Sequence, residues 1–137
     1  MLKNQECLNF TMAPIRWVLR SKIHRATVTQ ADLDYVGSIS IDEELMEESG
    51  IVEWEKIVVL DVTNGSRLET YAIKAPRGSG EICINGAAAH LVNPGDLVIL
   101  LTYQGVGEGE IENHQPRIVH VDEQNKIIEL VTTESNY

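Results

Sequence analysis

Apolar and polar residues alternate with a period of two along most of this chain, and the apolar runs are short, which predicts many brief strands. Lys22 to Thr29 (KIHRATVT) alternates, with Ile23, Arg25, Thr27 and Thr29 on one face. Leu33 to Ile41 (LDYVGSISI) is β-rich but interrupted at Gly37-Ser38, where a glycine inside a strand pattern marks a bulge, a bend or a close backbone approach. A short helix follows. Asp42 suits its N-cap, Glu43 and Glu44 suit its positive end, and Gly50 closes it. Lys56 to Val62 reads as a buried strand, and Asn64-Gly65 as a two-residue type I′ hairpin turn with positive φ at both positions. Arg67 to Ala75 (RLETYAIKA) returns with strict alternation. Arg67, Glu69, Tyr71, Ile73 and Ala75 share one face; Leu68, Thr70, Ala72 and Lys74 share the other.

Beyond a turn at Pro76 to Gly80, Glu81 to Asn85 is a strand and Gly86 to His90 a helical turn. Asn93 to Asp96 leads into a strand over Leu97 to Tyr103, and Arg117 to Val121 and Lys126 to Val131 complete the set. The stretch 105–116, with three glycines and three glutamates, reads as a mobile loop. There is no internal repeat and no linker. The pattern predicts a single mostly-β domain over 14–137, a small closed barrel with one or two short helices, since closure removes exposed strand edges. Residues 1–13 read as a flexible leader, with Met12 as an alternative start.

Composition narrows the function classes. The 137 residues carry 11 Lys plus Arg against 21 Asp plus Glu, a formal net charge of −10. That balance argues against nucleic acid and against docking on an anionic membrane. No apolar run approaches the ~20 residues of a membrane span. Cys7 and Cys83 are far apart and form no Cys-x-x-Cys pair, so a reduced, cytoplasmic setting is the simplest reading. The charge is uneven: residues 1–37 hold five bases against three acids, and residues 38–137 six against eighteen.

Several familiar chemistries are absent. His24, His90, His114 and His120 show no metal-ligand spacing, so no metal site is expected. Arg77-Gly78-Ser79-Gly80 lacks the Gly-x-Ser-x-Gly pattern of a nucleophile elbow. Gly105, Gly107 and Gly109 lie beside Glu108 and Glu110, which would repel phosphate. Of the three Gly-Ser dipeptides, two fall in turns, and Gly37-Ser38 alone lies within a β-rich segment. It reads as a bulge or as a backbone bond built to break.

The residues around that bond resemble those of the pyruvoyl-dependent aspartate 1-decarboxylase family. The match is carried by Lys22-Ile-His24-Arg25, Ala31-Asp32-Leu33-x-Tyr35-x-Gly37-Ser38, Ile41-Asp42, Val62-Thr-Asn-Gly65, Thr70-Tyr71-Ala72-Ile73, Arg77-Gly78-Ser79 and Asn85-Gly-Ala-Ala-Ala-His90, in register from about Ile15 to Val121. Ile39 follows the serine, where the family often has a small residue or Cys. The resemblance implies a double-psi β-barrel, a homotetramer with sites between subunits, L-aspartate as substrate, and β-alanine made for pantothenate.

It also implies the cofactor. Amino-acid α-decarboxylation leaves a carbanion that needs an electron sink. A pyruvoyl group derived from Ser38 would supply one, with no pyridoxal phosphate and no metal. Self-cleavage between Gly37 and Ser38 would give a small chain (1–37) and a large chain (38–137). The Thr70 hydroxyl would donate to the oxyanion forming on Gly37 during that cleavage. In turnover the substrate amine would form a Schiff base with residue 38, and Tyr71 would protonate the carbanion. Substrate binding would fall to Lys22, Arg67 and Thr70 and to the Gly86, Ala87 and Ala88 turn, with Asn85 and His24 as further candidates.

Other readings stand beside these. Tyr71 also suits a barrel-wall aromatic, and Lys22 and Arg67 suit surface bases on strands. Arg67 and Tyr71 share parity, whereas Thr70 has the opposite parity, in tension with a shared site. A non-enzymatic barrel that retains the fold would leave the chain uncleaved, and a decarboxylase for glutamate would differ only in substrate.

Overall fold

The computed structural model describes residues 14–133; the leader placed at 1–13 lies outside them. Nine strands run in chain order: β1 (Ile15–Thr27), β2 (Gln30–Asp32), β3 (Ser38–Asp42), β4 (Lys56–Asp61), β5 (Arg67–Ala75), β6 (Ile82–Asn85), β7 (Leu97–Gly107), β8 (Arg117–Val121) and β9 (Ile127–Val131). Helix α1 (Glu43–Ser49) follows β3, and short 3-10 turns cover Gly86–His90 and Glu108–Asn113. No helix among the described residues is long and apolar enough to cross a membrane.

The strands form one sheet in the order β2-β6-β3-β5-β4-β7-β1-β8-β9. The segment 15–32 closes it. Along one edge β1 pairs antiparallel with β7; along the other it meets β8, and its continuation β2 pairs parallel with β6. At the crossover, the Val28 amide donates to Asp96 on the β7 side and the Thr29 amide to Ile82 on the β6 side. A bulge near Arg25, whose φ is 61°, bends β1 towards this closure.

The ring therefore runs β1/β2, β6, β3, β5, β4, β7 and back to β1. Exchanging the first three staves (β1/β2, β3, β4) with the last three (β5, β6, β7) maps this order onto itself. The exchange also maps the parallel pair β2–β6 onto the parallel pair β3–β5. The helix after β3 and the 3-10 turn after β6 correspond in the same way. The mostly-β closed barrel read from the sequence is thus present, with the two interlocked halves of a double-psi arrangement.

The core lies inside the ring. Ile23, Leu100 and Val59 are register neighbours across β1, β7 and β4, and all are fully buried. Ile39 lies between Ala72 and Ile84 in the same way. Burying one such side chain stabilises the fold by roughly 1.5–3 kcal/mol.

Helix α1 has the ends that its sequence requires. Asp42 caps it by accepting from the Glu44 amide at 2.9 Å, and Gly50 closes it at φ 79°. The Asp42 carboxylate also accepts from the amides of Gly78 and Gly80 at 2.9 and 2.8 Å. One buried side chain therefore fixes both the start of α1 and the β5–β6 turn.

Three local expectations change. Strand β1 begins at Ile15 and not Lys22, because pairing with β7 extends it through a stretch (IRWVLR) with no clean alternation. The supposed mobile loop 105–116 continues β7 to Gly107 and then forms the 3-10 turn. Gly65 has φ 81°, but Asn64 does not share a positive φ, so the hairpin is not type I′. Asp61 explains this. Its Oδ1 accepts from the amides of Thr63 and Asn64 at 2.8 and 3.0 Å and its carbonyl accepts from Gly65, which builds a longer loop around one carboxylate.

The second Asp61 oxygen is buried and faces Asp96. That oxygen has no hydrogen-bond partner, burial raises the Asp61 pKa above the ordinary carboxylate value, and the neighbouring Asp96 carboxyl raises it further. A carboxyl with a raised folded-state pKa adds stability at acid pH, and that stability is lost as pH rises through the raised value. Asp61→Asn keeps the two amide bonds and offers Asp96 a donor. It should stabilise the fold near neutral pH by about 1 kcal/mol, roughly 4 °C in Tm, and the gain should shrink towards acid. Thermal unfolding followed from about pH 4 to pH 8 tests this; identical pH slopes for the two proteins would refute it.

Candidate active site

Ser38 opens β3, opposite Asn85 at the last rung of the antiparallel β3–β6 ladder. It is 1% exposed, and its φ is 130°. That backbone region is close to glycine-only, and holding another residue there costs of order 1–3 kcal/mol. The strain therefore sits on the residue that follows the Gly37–Ser38 bond. Residues 33–37, expected to continue a strand, instead form a turn outside the ladder.

Asn85 holds the Ser38 hydroxyl, and two further side chains hold Asn85. Asn85 donates from Nδ2 to Ser38 Oγ at 3.0 Å and to Ser40 Oγ at 3.1 Å. Its Oδ1 accepts from the Cys83 thiol at 3.2 Å. Ser38 and Ser40 are two apart on β3, as Cys83 and Asn85 are on β6, so the four side chains share one face of the sheet. Burial pushes the Cys83 thiol up from its ordinary pKa, and the charges of Glu81 and Asp32 add to the effect.

The Gly37 carbonyl accepts from the Tyr71 hydroxyl at 3.0 Å. The tyrosine ring is stacked on Trp54, with centroids 5.9 Å apart. The resemblance gave Thr70 the donor role at this carbonyl, and the structure places Tyr71 there. Register explains the difference. Thr70 pairs with the fully buried Ile57 and so lies on the inner face, whereas Tyr71 lies on the outer face with Ser38.

Gly86 packs against the same bond. A Cβ added there would lie 2.8 Å from Gly37 Cα and 2.9 Å from Gly37 N, and Gly86 has φ 70°. Only glycine permits both the approach and the backbone conformation. Ala87 and Ala88 follow in the 3-10 turn, exposed and half-buried.

The proposed substrate-binding bases do not join this cluster within one chain. Arg67 is exposed at the start of β5, four residues and about 13 Å of strand from Tyr71. Lys22 pairs with Leu101 on β7, which pairs with Val58 on β4, which pairs with Glu69 on β5, so Lys22 shares the outer face with Glu69 and Arg67. His24 lies on the same side of β1, its ring 5.2 Å from that of His120. Beside Arg67, a groove of about 450 Å³ is lined also by Trp17, Lys56, Glu69 and Tyr103. Trp17 is 77% exposed and Tyr103 43%.

Sequence reasoning missed Ser40, Cys83 and Trp54. The i, i+2 spacing of Ser38 with Ser40 and of Cys83 with Asn85 was visible, but the β3–β6 register that brings the pairs together was not. Among the described residues, no group of three or more His, Cys, Asp or Glu could hold a metal ion.

Comparison with known proteins gives the family of the chain. The family model described as Aspartate decarboxylase matches residues 15–128. The chain is 60% identical over 116 residues to the aspartate 1-decarboxylase of Corynebacterium efficiens, covering 85% of each protein. It is 56% identical over 119 residues to that of Acetivibrio thermocellus, covering 87% of this chain and 94% of the relative. With that of Caldicellulosiruptor saccharolyticus the identity is 58%, covering 87% and 93%. Among solved structures it is similar to the computationally designed protein msDPBB_sym2, with a TM-score of 0.41 and 20% identity over 64% of this chain and 99% of that one. By the family match and by the identity to these relatives, the chain belongs to the aspartate decarboxylase family.

Proposed function

We propose that this chain converts L-aspartate to β-alanine and carbon dioxide for pantothenate synthesis, using a pyruvoyl group that it makes from Ser38 after cleavage at Gly37–Ser38. One observation carries the reading. The residue after the scissile bond is strained and buried, with its hydroxyl held by Asn85, while the carbonyl before the bond is held by Tyr71.

The bonds made and broken in cleavage lie within the chain, and water enters at the final hydrolysis. Ser38 Oγ bonds to the Gly37 carbonyl carbon, the C–N bond breaks, and the freed amine takes the hydroxyl proton. The resulting ester eliminates: the Ser38 Cα proton leaves, the Cβ–O bond breaks, and Gly37 departs as a carboxylate. Water then replaces the nitrogen of the dehydroalanine, ammonia leaves, and a keto group remains. Relief of the Ser38 backbone strain favours the first step, and a hydrogen-bond donor on the Gly37 carbonyl stabilises the charge that develops there.

The pyruvoyl group supplies the electron sink for the carbanion left by loss of carbon dioxide. The residues fit such a group: position 38 is buried, Asn85 holds it from one side, and Gly86 leaves room beside it. Tyr71, with its hydroxyl beside this position, donates the proton to the α-carbon. The small side chains of Ala87 and Ala88 let backbone amides of that turn approach the substrate.

Aspartate brings two carboxylates, and the protein is at −10. Arg67 offers a bidentate grip and Lys22 a point charge, with His24 as a third candidate, whereas Thr70 faces the barrel interior and leaves this set. Lys22 and Arg67 lie on an outer face with exposed Trp17 and Tyr103, apart from their own chain's Ser38. Association into a homotetramer would bring those bases from one protomer to Ser38 of another. A cytoplasmic setting suits the free, buried Cys83 thiol.

Denaturing mass spectrometry should find two chains, 1–37 and 38–137, the larger without an N-terminal amine, and Ser38→Ala should remain a single chain. A permanently intact wild-type chain that forms no β-alanine from aspartate would overturn the proposal. Once cleaved, Tyr71→Phe should lose about 10²–10⁴ in kcat, with KM changed far less; a wild-type kcat would remove the tyrosine from the proton-donor role. Gly86→Ala should displace residues 37 and 38 and slow cleavage by more than about tenfold, measured as the rate of loss of the full-length chain.

A further inference from the structure

Asn85 is held at three points, and two of its partners, Cys83 and Ser40, have no part in the chemistry described above. A side-chain amide can present either its oxygen or its nitrogen to a neighbour, and only its other partners decide which. Here the Cys83 thiol donates to Oδ1, and one Nδ2 hydrogen goes to Ser40. The second Nδ2 hydrogen points at Ser38 Oγ. All four residues are at least nine-tenths buried, so water does not compete for these bonds.

We infer that Cys83 and Ser40 are positioning residues that fix the orientation of the Asn85 amide, so that Asn85 donates to the Ser38 oxygen and leaves the Ser38 proton free. This rests on the reading of Ser38 as the self-cleaving residue. The chemistry requires that orientation. An amide N–H aimed at Oγ holds the oxygen in place while the hydroxyl proton turns away, towards the departing nitrogen. In the flipped orientation Oδ1 would accept the Ser38 proton and hold it on an oxygen too weakly basic to take it. The Cys83 thiol stabilises the first orientation because it is a donor, and its raised pKa keeps it protonated at neutral pH. Ser40 Oγ accepts the spare N–H that would otherwise be buried without a partner.

Two substitutions at Cys83 separate orientation from packing. Cys83→Ser keeps a donor in a slightly smaller volume, and Cys83→Ala removes the donor. The chains are made by cell-free synthesis so that cleavage is followed from time zero on denaturing gels, with Tm recorded for each. Cys83→Ala should cleave about fivefold to tenfold more slowly than wild type, Cys83→Ser within about twofold, and Ser40→Ala should fall between them. Cleavage of Cys83→Ala at the wild-type rate overturns the inference. So does a Cys83→Ser chain as slow as Cys83→Ala, because the effect would then be one of volume. A wild-type chain that never cleaves defeats the self-processing reading itself.

Discussion

The pairing of Ser38 with Asn85 at the last rung of the β3–β6 ladder is the constraint from which the rest of the site follows. On one side of this rung the chain is tied into the sheet by Ile39, fully buried between Ala72 and Ile84. On the other it leaves the sheet as a turn. A residue at such a boundary cannot relax in both directions, and Ser38 carries the misfit as a φ of 130°. Gly86 closes the remaining space, with Gly37 packed against its backbone. The bond is thus strained by its surroundings and not by any unusual residue of its own.

The division of each strand into two faces does the second part of the work. On β5, Ala72 and Leu68 look into the barrel, while Tyr71, Glu69 and Arg67 look out. On β3, Ile39 and Ile41 are core and Ser38 and Ser40 are site. A slip of one residue in either strand would exchange the two sets, so the packing of the core and the geometry of the site are selected together. This also separates Thr70 from Tyr71, adjacent in sequence and on opposite sides of the wall.

What was legible in the sequence was mostly local. The cap at Asp42, the close at Gly50, the alternation of β5 and the exceptional place of Gly37-Ser38 each follow from a few neighbouring residues. The type I′ turn failed because the Asp61 carboxylate supplies acceptors that outweigh the backbone preference of Asn-Gly. The donor on the Gly37 carbonyl and the partners of Asn85 depend on which strands meet and in what register. Pairings such as Ser40 with Cys83 join residues more than forty positions apart, and no periodicity announces them. The separation of Lys22 and Arg67 from Ser38 was hidden for the same reason.

The stave that closes the barrel, residues 15–32, lies wholly on the N-terminal side of Gly37. After a cut at that bond it would remain gripped by β7 along one edge and by β8 and β6 along the other, with Ile23 and Val28 in the core. The two fragments would then be a non-covalent complex with a shared interior, and neither would retain a closed barrel alone. Unfolding would change from a unimolecular event to a dissociation. Recovery from denaturation would depend on concentration, because two chains would have to find each other to rebuild a wall that one chain first built by itself.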